Sequence, residues 1–425
     1  MVNVLVFPAH TETALEIRDA LKDLKTVRLF GGACSEGLAD FVFETCFHNL
    51  PAVDSPLFAD SLNAVIDSNH IDYIFPAQDD VLKPLSDLRE RFHAVLLASP
   101  PETIEICSSY TATYSFFKGR SFIPEFYSSF DRIPSYPVSV LPDPVNGLDS
   151  ARWIKDREHL EDAFPSAENI CICEPFSGTD YSVDCFTDAD RKLLVTGLRS
   201  KERVRAGISV RSRILPADSR ISAIAEEINS GLVFRGAWFF TVRKRSDGEY
   251  RLLAVFPRIA ETMGLIRSIG INMPSMTLSL FCGERPNPVI NHNRVLVDRA
   301  FCSRFKTDIS YSSIYVDFDD TILVNGKVNT ALMMFLYQSF NKGKNIILLT
   351  RHANDIYSDL DRFHIPCSLF HEIIHITDNR EKADYIKPDS VFIDDSFAER
   401  ERIHSRCNIP VFDIDMIESL LDWKV

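Results

Sequence analysis

The stretch SSIYVDFDDTIL, residues 312–323, places Asp317, Asp319 and Asp320 directly behind a short apolar run. Side chains alternate along a strand, so Asp317 and Asp319 emerge together where that strand ends. Two neighbouring carboxylates repel each other unless they share a proton or a cation. A chain that accepts this repulsion points to a parallel sheet with a ligand at the carboxyl ends of its strands. Two further apolar runs support that reading. NIILLTR ends in Thr350, with Arg351 beside it, and SVFIDDS ends in Asp394 and Asp395, with Lys382 upstream. A hard divalent cation with oxygen ligands, Mg²⁺, is the simplest partner for such carboxylates. Together with a lysine it would neutralise a phosphoryl group. One aspartate would attack phosphorus, and a second, two residues on, would protonate the leaving oxygen and then activate water.

These residues carry a family resemblance. Residues 312–415 resemble the haloacid dehalogenase superfamily of phosphohydrolases. DFDDT matches its first motif, DxDxT, and LLT ending at Thr350 matches the second. Lys382 stands for the third and FIDD for the fourth. The resemblance implies Asp317 as nucleophile and Asp319 as general acid/base, with Thr350 and Lys382 holding phosphate. It implies Mg²⁺ on Asp394 and Asp395, alongside Asp317 and the backbone carbonyl of Asp319. Lys387 is the alternative third-motif residue. Asp320 stands where the family commonly has glycine. The segments on either side of Thr350 leave no room for an inserted cap domain. The resemblance therefore implies a capless, open site, for which residues 1–300 could be the cover.

A chain of 425 residues is expected to form two to three domains. Residues 1–100 alternate strand-like and helical segments, beginning with NVLVFPAH and TETALEIRDALKDL, where Thr11 or Thr13 could cap the helix. They read as a Rossmann-like α/β unit without a GxGxxG loop, so a dinucleotide is not indicated. Residues 101–305 are rich in strand-like runs, with helices at DREHLEDAF and RISAIAEEINSG and a hairpin turn at RSDGEY. They read as α+β with antiparallel sheets. From residue 308 to 425 the α/β rhythm returns, with helices expected around NTALMMFLYQSFNKG, near residues 354–362 and near NREKADYI.

Residues 1–300 resemble the carbamoyl-phosphate-synthetase-like ATP-grasp proteins. IDYIFPAQDD, SPPETIEICSSYTATYSFF, CICEPFSGTDYSVDCFTD and LLAVFPRIAETMG carry the likeness, in that order. The resemblance implies a pre-ATP-grasp domain over residues 1–100 and an ATP-grasp-like domain over 101–305. It implies a purine-like ring held near Glu174 and Phe176, a ribose carboxylate at Asp180, and Arg258 as a surviving member of the family's Glu-x-Asn-Pro-Arg pattern. The departures lie at the phosphate end. Tyr110 and Leu141 stand where the family has lysines, and Ala254 and Phe256 stand where it has metal ligands. Apolar residues there cannot coordinate Mg²⁺ or hold phosphates. The expectation is that this module binds a nucleotide or substrate without making an acyl phosphate from ATP. A basic cluster, Arg199, Arg203, Arg205, Arg211 and Arg213, reads either as the lining of an anion-binding cleft or as a solvated charged loop.

The formal net charge of −14 argues against a general nucleic-acid surface. Ten cysteines without a CxxC pair fit a reducing cytosol, and Cys171 and Cys173 read as same-face packing residues on a strand. The N-terminus lacks the marks of a signal peptide, and no apolar run reaches membrane-span length. The sequence thus points first to a cytoplasmic Mg²⁺-dependent phosphomonoesterase acting on a small phosphorylated, nucleotide-like metabolite. Its first rival is a bifunctional ATP-grasp ligase and phosphatase of a small biosynthetic pathway. The second is a non-catalytic nucleotide sensor or scaffold.

Overall fold

The structure, a computed structural model, describes residues 1–145, 151–175, 177–205 and 208–424. The chain divides into two compact units, Met1–Phe301 and Cys302–Val425.

The first unit opens with β1 (Val2–Phe7), α1 (Glu12–Leu21), β2 (Val27–Gly32), α2 (Ala39–Val42), β3 (Thr45–Phe47), α3 (Phe58–Asn69), β4 (Tyr73–Pro76), α4 (Asp79–Asp87) and β5 (Val95–Leu96). The strands form one parallel sheet in the order β3-β2-β1-β4-β5. The central strand β1 is covered on both faces, which is why it reads as an almost unbroken apolar run. Thr11 caps α1 by accepting a hydrogen bond from the Ala14 N–H at 3.1 Å. Thr13 lies inside the helix, buried. Ala14, Ile17 and Leu21 face the core at helical spacing.

The chain continues through α5 (Pro101–Cys107), α6 (Tyr110–Phe116), β6 (Phe126–Tyr127), β7 (Val138–Pro142), β8 (Arg152–Ile154), α7 (Arg157–Ala163) and β9 (Ile170–Cys173). These strands make an antiparallel sheet ordered β6-β9-β7-β8. Cys171 and Cys173 are both buried in β9. Then follow β10 (Thr179–Thr187), β11 (Leu193–Ser200), β12 (Arg203–Arg205), β13 (Ile208–Arg213), α8 (Ser219–Gly231), β14 (Gly236–Lys244), β15 (Tyr250–Phe256), α9 (Gly264–Arg267), α10 (Met273–Phe281) and β16 (Leu296–Asp298). The larger antiparallel sheet runs β11-β10-β14-β15, and β12-β13-β16 form a smaller one. On one face of the larger sheet Val183, Cys185, Trp238 and Phe240 pack with Ile221, Ala225 and Ile228 of α8 in one core. The turn between β14 and β15 closes with the Arg245 N–H donating to the Glu249 carbonyl at 2.8 Å. Gly248 takes φ +86° there, a conformation that suits glycine.

The second unit comprises β17 (Ser313–Val316), the small hairpin β18 (Leu323–Val324) and β19 (Lys327–Val328), α11 (Thr330–Asn341), β20 (Asn345–Thr350), α12 (Ile356–Arg362), β21 (Glu372–His375), β22 (Ser390–Ile393), α13 (Phe397–Cys407) and β23 (Val411–Phe412). Five strands form a parallel sheet in the order β21-β20-β17-β22-β23. Apolar clusters built on Val316, Leu348 and Ile393, and on Tyr315, Ile347 and Phe392, use alternate residues of the central strands. The helix expected near NREKADYI is a single 3₁₀ turn, Lys382–Asp384. Glu381 and Asp384 cap each other reciprocally, and the closed turn leaves no continuing helix. Among the described residues no helix is long and apolar enough to cross a membrane.

Candidate functional site

The carboxyl ends of β17, β20 and β22 meet at one rim of the second unit. Asp317 follows β17 and Asp394 follows β22. Both are buried, because the parallel pairing of the two strands ends at the same level. Lys382, brought in by the 3₁₀ turn, lies between them. Its Nζ is 2.8 Å from Asp317 Oδ1 and 2.6 Å from Asp394 Oδ2. Lys387, the alternative considered for this position, is exposed beyond the turn. Carboxylate oxygens of Asp317, Asp394 and Asp395 all lie within 4.8 Å of one another.

Two carboxylates thus share one ammonium, with a third carboxylate close to both. The Asp317 carboxyl is pushed up to about 6, because burial and the neighbouring Asp394 raise it more than Lys382 lowers it. Asp394 is likewise raised, by burial against the opposing pull of Lys382. Burial pulls Lys382 down, but the two aspartates outweigh it and hold the ammonium above its ordinary value. Surplus carboxylate charge that one ammonium offsets only in part fits a hard divalent cation. Asp317, Asp394 and Asp395 are the side chains able to hold one.

The surrounding residues fix this geometry. Thr321 and Asp395 are tied by two hydrogen bonds, with the Asp395 N–H donating to Thr321 Oγ1 at 3.0 Å. The Ser396 N–H donates to Asp394 Oδ1 at 2.8 Å. Thr350 is buried at the end of β20, and its hydroxyl oxygen accepts from the His352 N–H at 3.2 Å. Arg351 donates to the carbonyls of Asp378 and Arg380. Asp320 has φ +53°, a left-handed backbone conformation that suits glycine. Asp317, Asp319, Thr350, Lys382, Asp394 and Asp395 line one open cavity of about 230 Å³.

Sequence reasoning missed His352. Its Nδ1 lies 2.9 Å from both carboxylate oxygens of Asp319, and its Nε2 lies 2.6 Å from Asp359 Oδ2. Burial pulls this imidazole down, but the two carboxylates outweigh that pull and hold it above its ordinary value. The Asp319 side chain is therefore turned to His352 and stands outside the three-carboxylate cluster. The only sequence signal was a histidine two residues past Thr350.

In the first unit, Glu174 directly follows β9 and Asp180 is the second residue of β10. Arg245 and Arg251 bind the Glu174 carboxylate at 2.9 and 3.1 Å, and Arg243 binds Asp180 through two hydrogen bonds. Phe176 lies outside the described residues. Arg258, just past β15, forms a two-pronged pair with Asp79 at the start of α4. Its guanidinium also packs on Phe239 and Phe256, 5.3 and 5.6 Å from their ring centres. His10, Thr11, Glu12, Gln78, Arg258 and Glu261 line a cavity of about 460 Å³.

Among the described residues the arginines of the basic cluster are engaged by other side chains. Arg199 is buried against Asp184, Arg211 and Arg213 pair with Glu202, and Arg203 pairs with Asp298. Arg205 packs on the Phe301 ring at 4.4 Å. Glu202, within the cluster, and Asp184 and Asp298, outside it, partner four of the five arginines.

Residues 166–300 match the family model described as "ATP-grasp in the biosynthetic pathway with Ter operon". Among curated proteins no sequence match is found. Similar solved structures include biotin carboxylase from Campylobacter jejuni, in its β,γ-ATP complex, at 14% identity and TM-score 0.55. That match covers 69% of this chain and 74% of the other. L-amino acid ligase from Bacillus licheniformis is similar at 16% identity and TM-score 0.54, covering 68% of this chain and 75% of the other. Pyruvate carboxylase from Rhizobium etli is similar at 14% identity and TM-score 0.54. It covers 67% of this chain, which spans 28% of that longer protein.

These likenesses correct the sequence reading, in which a phosphatase was the enzyme and the first unit made no acyl phosphate from ATP. Family match and structural neighbours alike point to an ATP-grasp fold. Ala254 and Phe256 lie on β15 and Leu141 on β7, all buried, while Tyr110 begins α6. The first unit has the ATP-grasp fold.

Proposed function

We propose that the chain is an ATP-dependent ligase of the ATP-grasp type, with a second activity on phosphorylated groups in the unit formed by residues 302–425. The match of residues 166–300 to an ATP-grasp family of a biosynthetic pathway carries the reading. The cavity bearing Arg258, Gln78 and His10 at the rim of the parallel sheet supports it. ATP-grasp ligases join a carboxylate to a nucleophile through an acyl phosphate. The first unit would bind Mg²⁺·ATP and an acidic substrate, and Arg258 is suited to holding an anionic oxygen. Glu174, Asp180 and Phe176 are the proposed nucleoside contacts.

In the second unit, Asp317, Asp394 and Asp395 would hold Mg²⁺, which supplies charge neutralisation at a phosphoryl oxygen. Lys382 and Thr350 would bind that group, Asp317 would serve as nucleophile, and Asp319, oriented by His352, would move the proton. The substrate would be a small phosphorylated intermediate of the same pathway.

The test is ADP formation by the full chain with Mg²⁺·ATP and a panel of carboxylic and amino acids. It is run in the Asp317→Asn background so that the second unit releases no phosphate. The expected result is ADP release that depends on the added acid and amine. It should fall at least about tenfold in Arg258→Lys, which keeps the charge and loses the two-pronged geometry. Absence of acid-dependent ADP release across the panel would sink the ligase assignment.

A further inference from the structure

At the edge strand of the parallel sheet three side chains of unlike chemistry converge. Asp40 on α2, Cys46 on β3 and His48 just beyond β3 each present one ligand atom, all within 4.8 Å of one another. Cys46 and His48 stand two apart on extended chain and so share a side. Asp40 is fixed on one oxygen by the Gly37 N–H at 2.9 Å, while its other oxygen meets His48 Nε2. His48 Nδ1 is buried without a hydrogen-bond partner. The Cys46 thiol rests over β2 at Gly31, where a Cβ would come within 3.0 Å of its sulfur. Glycine at 31 thus makes the space this thiol occupies.

A surface Asp–His pair requires neither the cysteine nor the orphaned ring nitrogen. Thiolate, imidazole and carboxylate are the donors of zinc sites, where three protein ligands leave one position for water. Mg²⁺ takes oxygen alone, so this cluster differs in kind from the one around Asp317. We propose that Asp40, Cys46 and His48 bind one Zn²⁺ ion and thereby fasten the edge strand β3 to α2. The thiol gives up its proton to solvent as the sulfur–zinc bond forms, releasing one proton per ion. This site is independent of the ligase reading.

Full-length, metal-stripped protein titrated with Co²⁺ tests the site, since cobalt reports sulfur ligation by a near-ultraviolet charge-transfer band. The expected result is such a band, saturating at one equivalent and abolished by Zn²⁺. Cys46→Ser should lose it, and His48→Gln should weaken Zn²⁺ binding at least about tenfold. Asp317→Asn should leave both unchanged. No band in the wild type, a band that survives Cys46→Ser, or unaltered affinity in His48→Gln overturns the proposal. Should Cys46→Ser fail to fold, alkylation of the wild type mapped by mass spectrometry decides. Protection of Cys46 by Zn²⁺ supports the site, and equal labelling with and without Zn²⁺ overturns it.

Discussion

The two units treat buried carboxylates in opposite ways. In the first, Asp184 is fully buried and meets one guanidinium, Arg199, through hydrogen bonds of 2.8 and 3.0 Å. Burial raises the Asp184 carboxyl and Arg199 opposes it, one charge against one. In the second, Asp317 and Asp394 divide a single ammonium, with Asp395 close by. A matched pair holds a fold together. A surplus of like charge weakens the empty fold and is tolerated where a ligand completes it.

Breaking the matched pair should give the largest effect. Arg199→Met leaves Asp184 buried and uncompensated, at a cost of roughly 3–5 kcal/mol of stability in denaturant unfolding. Arg199→Met combined with Asp184→Leu should recover most of that loss, because no charge is left stranded. If the double variant is no more stable than the single one, the pair does not act as a unit.

The surplus site should respond in the other direction. Asp317→Asn removes one buried charge while Lys382 keeps Asp394. Metal-free stability of the second unit should therefore rise, by on the order of 1–3 kcal/mol at neutral pH. Calorimetry would show this as an upward shift of the transition that Mg²⁺ also moves. A downward shift would mean that the Asp317–Lys382 pair outweighs the crowding.

The pH dependence sharpens the contrast. The folded-state value of Asp317, about 6, lies above its unfolded value near 3.8, so the native state binds the extra proton between those pH values. Its contribution is present at low pH and is lost as pH rises from about 4 through 6. Metal-free wild type should lose stability over that window, and Asp317→Asn should show a flatter profile. Mg²⁺ should stabilise the wild type more at pH 7.5 than at pH 5, since protonation competes with the ion.

The smallest effect belongs to the exposed arginines. Arg213 pairs with Glu202 at the surface, where solvent screens the interaction. Arg213→Ala should leave both the melting temperature and ADP formation unchanged within error. A marked loss of ADP formation would restore the arginine-lined cleft that the geometry argues against.

Much of the second unit was legible in its sequence, because short apolar strands ending in Asp317, Thr350 and Asp394 are local patterns. The chemistry of a parallel sheet collects such strand ends at one rim. The first unit was less legible. Its resemblance to ATP-grasp proteins was readable, yet the two-pronged pairing of Arg258 with Asp79, far apart in sequence, was not. His352 escaped notice because nothing local announces that a histidine will bridge Asp319 and Asp359.

The sequence by itself determined where the strands end and which of them carry acids. These follow from side-chain alternation and the lengths of apolar runs, which act over a few residues. Only the tertiary structure decided which charges meet. Lys382 was fixed between Asp317 and Asp394, Arg199 was spent on Asp184, and Asp40 was brought beside Cys46 and His48. Coulomb and hydrogen-bond partnerships fall off over a few ångströms, and distances that short between remote residues exist only once the chain has folded.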